Sequence, residues 1–220
     1  MTTFLEARDL LLGARGDYRR AHGAFRWPEL DTFNWALDFL DVVPPAERLA
    51  LVIASADGTT DTRTFGELRT RSNRIASWLR ELGVGRGERV LVMLPNVVPL
   101  WEVMVAAMKL GAVVIPASTL LPAEDVEDRV ARGEVRAVVA LADLADRFAG
   151  VPASVLRVAV GGAVDGWHAL ADADGAQDAL APDGPTRASD PLLLYFTSGT
   201  TRQPKLACAV SYTHLTLPTN

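Results

Sequence analysis

Two spacings of apolar residues alternate along this chain: short unbroken runs, and longer segments in which apolar positions recur every three or four residues. These are the periods of buried strands and of helices packed on one face. Residues 49–54 and 60–65, separated by Asp57-Gly58, predict a hairpin. Thr64 and Glu67 then stand three apart, as the N-cap and N3 of a capping box. Leu68, Ser72, Ile75, Leu79 and Leu82 follow at helical spacing, and Gly83 occupies the place of a C′ glycine. Residues 90–94 are an apolar run of the kind found in strands covered on both faces. Asn96 is placed to cap the next helix, which turns Leu100, Val103, Met104 and Ala107 inward and ends at Gly111.

The alternation continues with a strand over 113–115, an acidic helix over 122–133, a strand over 137–141 and a short helix to about 148. Strands over 156–160 and 192–196 complete it. Residues 165–190, rich in Ala, Asp, Gly and Pro, read as a surface connection with room for one short helix. His168 within it reads as a solvent-exposed loop residue, and the charge run 124–129 as a solvated helix face. The aromatics of residues 1–48 read as an N-terminal arm packed on the core. The fold class is therefore α/β, with right-handed crossovers and a mostly parallel sheet flanked by helices.

In such sheets ligands bind beyond the carboxyl ends of strands. The strand over 192–196 runs straight into Thr197-Ser198-Gly199-Thr200-Thr201-Arg202-Gln203-Pro204-Lys205. A polyphosphate needs close backbone approach, hydroxyl donors and a positive charge. Gly199 allows the first, Thr197, Ser198, Thr200 and Thr201 supply the second, and Lys205 the third. Pro204 biases Gln203 toward extended geometry, so the loop is expected to re-enter a strand. A Walker A loop is excluded, because Pro204 precedes the lysine and Leu206 follows it where Gly and Ser or Thr are needed. Composition alone also allows a plain polar turn between strands.

The run YFTSGTTRQPKL closely resembles the phosphate-binding signature of the adenylate-forming enzymes, which include acyl-CoA synthetases, luciferases and peptide-synthetase adenylation domains. It departs from that signature at Arg202, where Gly is usual. FNWALD at 33–38, GVGRGERVLVMLPN at 83–96 and MKLGAVVIPAST at 108–119 are similar to the same family, in its medium-chain or acetyl-CoA synthetase-like branch. The resemblance implies a partial adenylation domain over 49–209 that activates a carboxylic acid with ATP, Mg2+ and coenzyme A, to an acyl-adenylate and then a thioester. It implies that Thr197, Ser198, Gly199, Thr200 and Thr201 hold the β- and γ-phosphates and that Lys205 offsets charge on the departing pyrophosphate. A peptide-synthetase adenylation domain or aryl-acid ligase shares the signature, and a non-catalytic α/β domain is the remaining alternative. Residues 210–219 resemble a translated sequencing-library adapter, so 210–220 is expected to be a non-native tail and His214 receives no role.

Composition narrows the partners. A net charge of −5 over 220 residues argues against nonspecific binding to nucleic acid or anionic membranes. Cys208 is the only cysteine and His22, His168 and His214 lie far apart, so neither a disulfide nor a His/Cys metal site is expected. The start of the chain lacks a secretory signal pattern. The most apolar stretch, 97–117, is interrupted by Pro99, Glu102, Lys109, Gly111 and Pro116, and reads as a buried helix and strand. A cytoplasmic location is expected.

Overall fold

The computed structural model describes residues 3–197 and 204–211. A hairpin of β1 (Leu49–Ala54) and β2 (Thr60–Thr64) stands apart from a seven-stranded sheet. The sheet is built from β3 (Arg89–Met93), β4 (Val113–Pro116), β5 (Val135–Leu141), β6 (Leu156–Val160), β7 (His168–Ala169), β8 (Pro191–Thr197) and β9 (Lys205–Val210). Their order is β7-β6-β5-β3-β4-β8-β9, parallel throughout except for the antiparallel pair β8–β9.

Strand parity sorts the core into two layers. Val90, Val92, Val114, Ala137 and Val139 face one layer with α3 (Phe65–Glu81) and α4 (Val98–Leu110). Leu91, Met93, Ile115, Val138 and Ala140 face the other with Val126 and Val130 of α5 (Ala123–Arg132). A helix on each face explains why these strands read as continuous apolar runs and not as alternating ones.

The start and stop of α3 are local. Thr64 Oγ1 accepts from the Glu67 N–H at 3.2 Å, and the Glu67 carboxylate accepts from the Thr64 N–H at 2.7 Å. At the other end the Val84 N–H reaches Leu79 O and the Gly83 N–H reaches Arg80 O, each at 2.9 Å, with Gly83 at φ +89°. That is a Schellman closure, and it needs a residue that tolerates the left-handed region.

Two expectations need correction. Asn96 does not cap α4: Val97 holds the N-cap place without a side-chain bond, and Asn96 Oδ1 accepts from Trp101 Nε1 at 3.1 Å. Pro99 within the first turn already removes one of the N–H groups a cap would satisfy, which lowers the need for one. The connection 165–190 is not purely superficial. It contributes β7 to the sheet edge and a 3-10 turn, Leu170–Gly175, whose Leu170 and Ala173 are buried in the α3/α4 layer. Two inward residues in one turn are too few to produce a readable period.

The N-terminal arm comprises α1 (Phe4–Gly13), α2 (Tyr18–Ala24) and a π-helical turn, Ala36–Leu40. Phe4 packs on Phe33 at 5.0 Å between ring centroids. Asn34 is buried and donates to Met108 O at 2.7 Å and Thr186 Oγ1 at 3.0 Å. Its Oδ1 accepts from the N–H groups of Ala36 and Leu37 at 3.1 and 3.2 Å. One amide thus ties the arm to α4 and to the connection before β8.

Candidate functional site

β8 ends at Thr197 and β9 begins at Lys205, and these two residues are paired across the antiparallel ladder. Thr197 Oγ1 also donates to Lys205 O at 3.3 Å. The strand re-entry expected from Pro204 is observed, since β9 starts at the next residue. Both flanks of the hydroxyl-rich loop are therefore set side by side beyond the carboxyl end of a strand in the parallel part of the sheet. Thr197 and Lys205 are exposed, and Lys205 has no ion-pair partner among the described residues. Ser198, Gly199, Thr200 and Thr201 lie outside the described residues.

The stems are held from the side by α5. The sequence of this helix is acidic at its start, with Glu124 and Asp125, and basic at its end, with Arg129 and Arg132, a distribution that complements the helix dipole. Those two arginines do more than face solvent. Their guanidinium carbons sit 5.4 and 5.3 Å from the Phe196 ring centroid. Arg132 Nη2 also donates to Pro204 O at 2.7 Å, while its Nη1 pairs with Asp128 Oδ2 at 3.0 Å. The solvated-face reading of 124–129 missed the Arg129 contact, and Arg132 lies beyond the run it covered. The readable signal was the i, i+3 spacing of two arginines in a last turn, but their target is more than sixty residues away in sequence.

Gly133 makes this placement possible. A Cβ there would lie 2.7 Å from Ile115 Cδ1 and 2.8 Å from Arg129 O. With only hydrogen present, the end of α5 closes directly onto β4.

Other polar groups near the carboxyl edge are already engaged. Arg147 Nη1 donates to Thr119 O, and to Leu121 O at 2.8 Å. A cleft of about 630 Å3 between β2, α3 and α4 is lined by Arg63, Arg71 and Arg74 against Glu67, Glu102 and Asp174. Three charges of each sign leave it no net field to attract a polyphosphate. Within it the buried Glu102 accepts from Arg63 Nε at 3.2 Å and lies 3.5 Å from Arg71 Nε. His168 is exposed and meets the Trp78 ring edge-on at 6.1 Å.

A second buried charge sits further along α4. Lys109 Nζ lies 2.8 Å from Asp41 Oδ1 and donates to Asn73 Oδ1 at 2.7 Å and Arg69 O at 3.3 Å. Burial pushes the Asp41 carboxyl above its ordinary range and the Lys109 ammonium below its own, and the attraction between them opposes both shifts. Sequence reading treated Glu102 and Lys109 as interruptions of an apolar stretch; both are interior ion-pair members. No three His, Cys, Asp or Glu side chains converge as a metal site among the described residues, and no helix there is long and apolar enough to cross a membrane.

The sequence and the fold resemble those of known proteins. The chain is 32% identical over 172 residues to an uncharacterised acyl-CoA ligase of Bacillus subtilis, covering 76% of this chain and 31% of that protein. It is 31% identical over 194 residues to a mitochondrial acyl-coenzyme A synthetase of Mus musculus, covering 82% and 34% respectively. The chain thus spans about a third of the length of the curated relatives it matches. The crystal structure of an acyl-CoA synthetase from Brucella canis superposes with a TM-score of 0.78 at 22% identity, over 98% of this chain and 39% of that one, a likeness of fold. Apo MatB from Rhodopseudomonas palustris superposes with a TM-score of 0.67 at 27% identity, over 82% and 35%. The sequence pattern of the AMP-binding enzyme family matches residues 42–217, and with that match over most of its length the chain belongs to this family.

Proposed function

We propose that this chain supplies the amino-terminal third of an ATP-dependent acid–thiol ligase, with residues 49–209 as its share of the adenylation domain and 210–220 as a non-native tail. The observation that carries the reading is the in-register pairing of Thr197 with Lys205 at the mouth of the hydroxyl-rich loop. A substrate carboxylate oxygen attacks the α-phosphorus of ATP, the bond to the β-phosphate oxygen breaks, and pyrophosphate leaves. The coenzyme A thiol then attacks the acyl carbon, loses its proton and expels AMP.

Thr197, Ser198, Gly199, Thr200 and Thr201 hold the β- and γ-phosphates in this scheme, and Lys205 offsets the charge that develops on the leaving pyrophosphate. Charge stabilisation by prepositioned donors dominates such transfers. The described residues contain no cluster that would ligate a metal, so no step is assigned to a metal held by them; Mg2+ would arrive with ATP as the counter-ion of its phosphates.

The test is ATP–pyrophosphate exchange by the full-length enzyme carrying this chain, against a panel of fatty and aryl carboxylic acids. Lys205→Ala is expected to lower exchange roughly a hundredfold, about 3 kcal/mol of lost stabilisation, with the protein still folded. Exchange at the wild-type rate in that variant refutes the assignment.

A further inference from the structure

We infer that Arg132 is a positioning residue for adenylation, acting as a clamp that sets the spacing between the two stems of the phosphate loop. The inference rests on the function proposed above. The loop leaves the sheet after Phe196-Thr197 and returns at Pro204-Lys205. Arg132 touches both stems at once: its guanidinium stands 5.3 Å from the Phe196 ring and donates 2.7 Å to Pro204 O. Each contacted residue is the immediate neighbour of one proposed to hold phosphate, so movement of the clamp is passed on through a single peptide bond.

A guanidinium suits this task because its plane and its fork of N–H donors act together, stacking on an aromatic while donating in fixed directions. The clamp is itself oriented. Asp128, one turn back on α5, takes Arg132 Nη1 at 3.0 Å. Arg129 lies over the same ring at 5.4 Å. Beneath them, the missing Cβ of Gly133 lets the helix end seat against Ile115. The β8–β9 ladder aligns Thr197 with Lys205, and β8 is itself paired to β4 at Leu193–Val114, so the last residues of β8 run past that pair. The α5 contact reaches the hairpin at that end, through Phe196 and Pro204.

The experiment uses the full-length enzyme with Arg132→Leu, and Lys205→Ala as reference. Three quantities are read: ATP–pyrophosphate exchange, thioester formation from supplied acyl-adenylate and coenzyme A, and melting temperature. The second reaction needs the acyl, AMP and thiol sites but no pyrophosphate, so a structural role would not spare it. Arg132→Leu is expected to lower exchange tenfold to a hundredfold, roughly the rate equivalent of one hydrogen bond to a charged group, while thioester formation is unchanged. Equal loss of both reactions, or loss of neither, overturns the clamp. If Arg132→Leu does not fold, Arg132→Gln, which keeps a neutral donor, is expected to show the same selective loss at smaller size, and no selectivity in it overturns the proposal equally. Unaltered exchange in Lys205→Ala refutes the phosphate-loop reading itself; impaired exchange there with normal exchange in Arg132→Leu refutes the clamp alone.

Discussion

Lys109 Nζ lies 2.8 Å from Asp41 Oδ1, joining the most buried charge of α4 to the end of the N-terminal arm. Removing one partner strands the other in the interior, so Lys109→Met is expected to destabilise by about 3–5 kcal/mol. The double change Asp41→Leu/Lys109→Met is expected to recover most of that loss, because neither charge then needs desolvation. Urea denaturation of the three proteins decides, and equal stability of the single variant and wild type would contradict the pairing.

The same pair has a pH signature. Asp41 is raised above its ordinary 3.8, so between 3.8 and its folded value the folded state holds the extra proton and stability falls as pH rises. Lys109 is lowered below its ordinary 10.5, so between its folded value and 10.5 the unfolded state holds the extra proton and stability rises with pH. The difference in denaturation midpoint between wild type and the double variant should fall with pH across the first window and rise across the second, the lowered carboxylates of Glu6, Asp57 and Glu67 contributing equally to both proteins.

Asn34→Ala is expected to cost about 1–3 kcal/mol, since it leaves the buried Ala36 N–H and the half-buried Leu37 N–H without their acceptor and takes one of two donors from Met108 O, which keeps the Gly111 N–H. The arm should loosen first. Limited proteolysis within residues 1–33 under native conditions is the check, with cleavage expected to quicken in the variant.

Gly133→Ala tests the seating of α5. The φ of this residue is negative, so the cost is crowding against Ile115 and Arg129 O rather than backbone strain. About 1–3 kcal/mol of destabilisation is expected from overpacking. Differential scanning calorimetry would measure it, and an unchanged melting temperature would show that the helix end has slack.

Thr64→Ala removes the side-chain half of the capping box on α3. The expected loss is about 1 kcal/mol. Chemical denaturation measures it, and Thr64→Ser, which keeps the acceptor, should remain near wild type.

Sequence by itself determined whatever depends on neighbours a few positions apart. The Thr64–Glu67 box, the Gly83 stop, the apolar run at Val90 and the strand re-entry after Pro204 are set by backbone chemistry within one turn, and each lies where pattern and residue type place it. The proposed phosphate loop is a reading of the same local kind, because phosphate chemistry needs a few donors close together in the chain. Tertiary structure decided what those groups stand against. Glu102 and Lys109 look like interruptions of a helix until Arg63, Arg71 and Asp41 arrive from other elements to pair with them. Asn34 finds Met108 and Thr186, and Arg132 finds Phe196 and Pro204, only after the crossovers bring distant segments together. The physical reason is that burial and pairing are properties of the assembled core: a charge or an amide carries no mark in the sequence of the partner that will make its burial affordable.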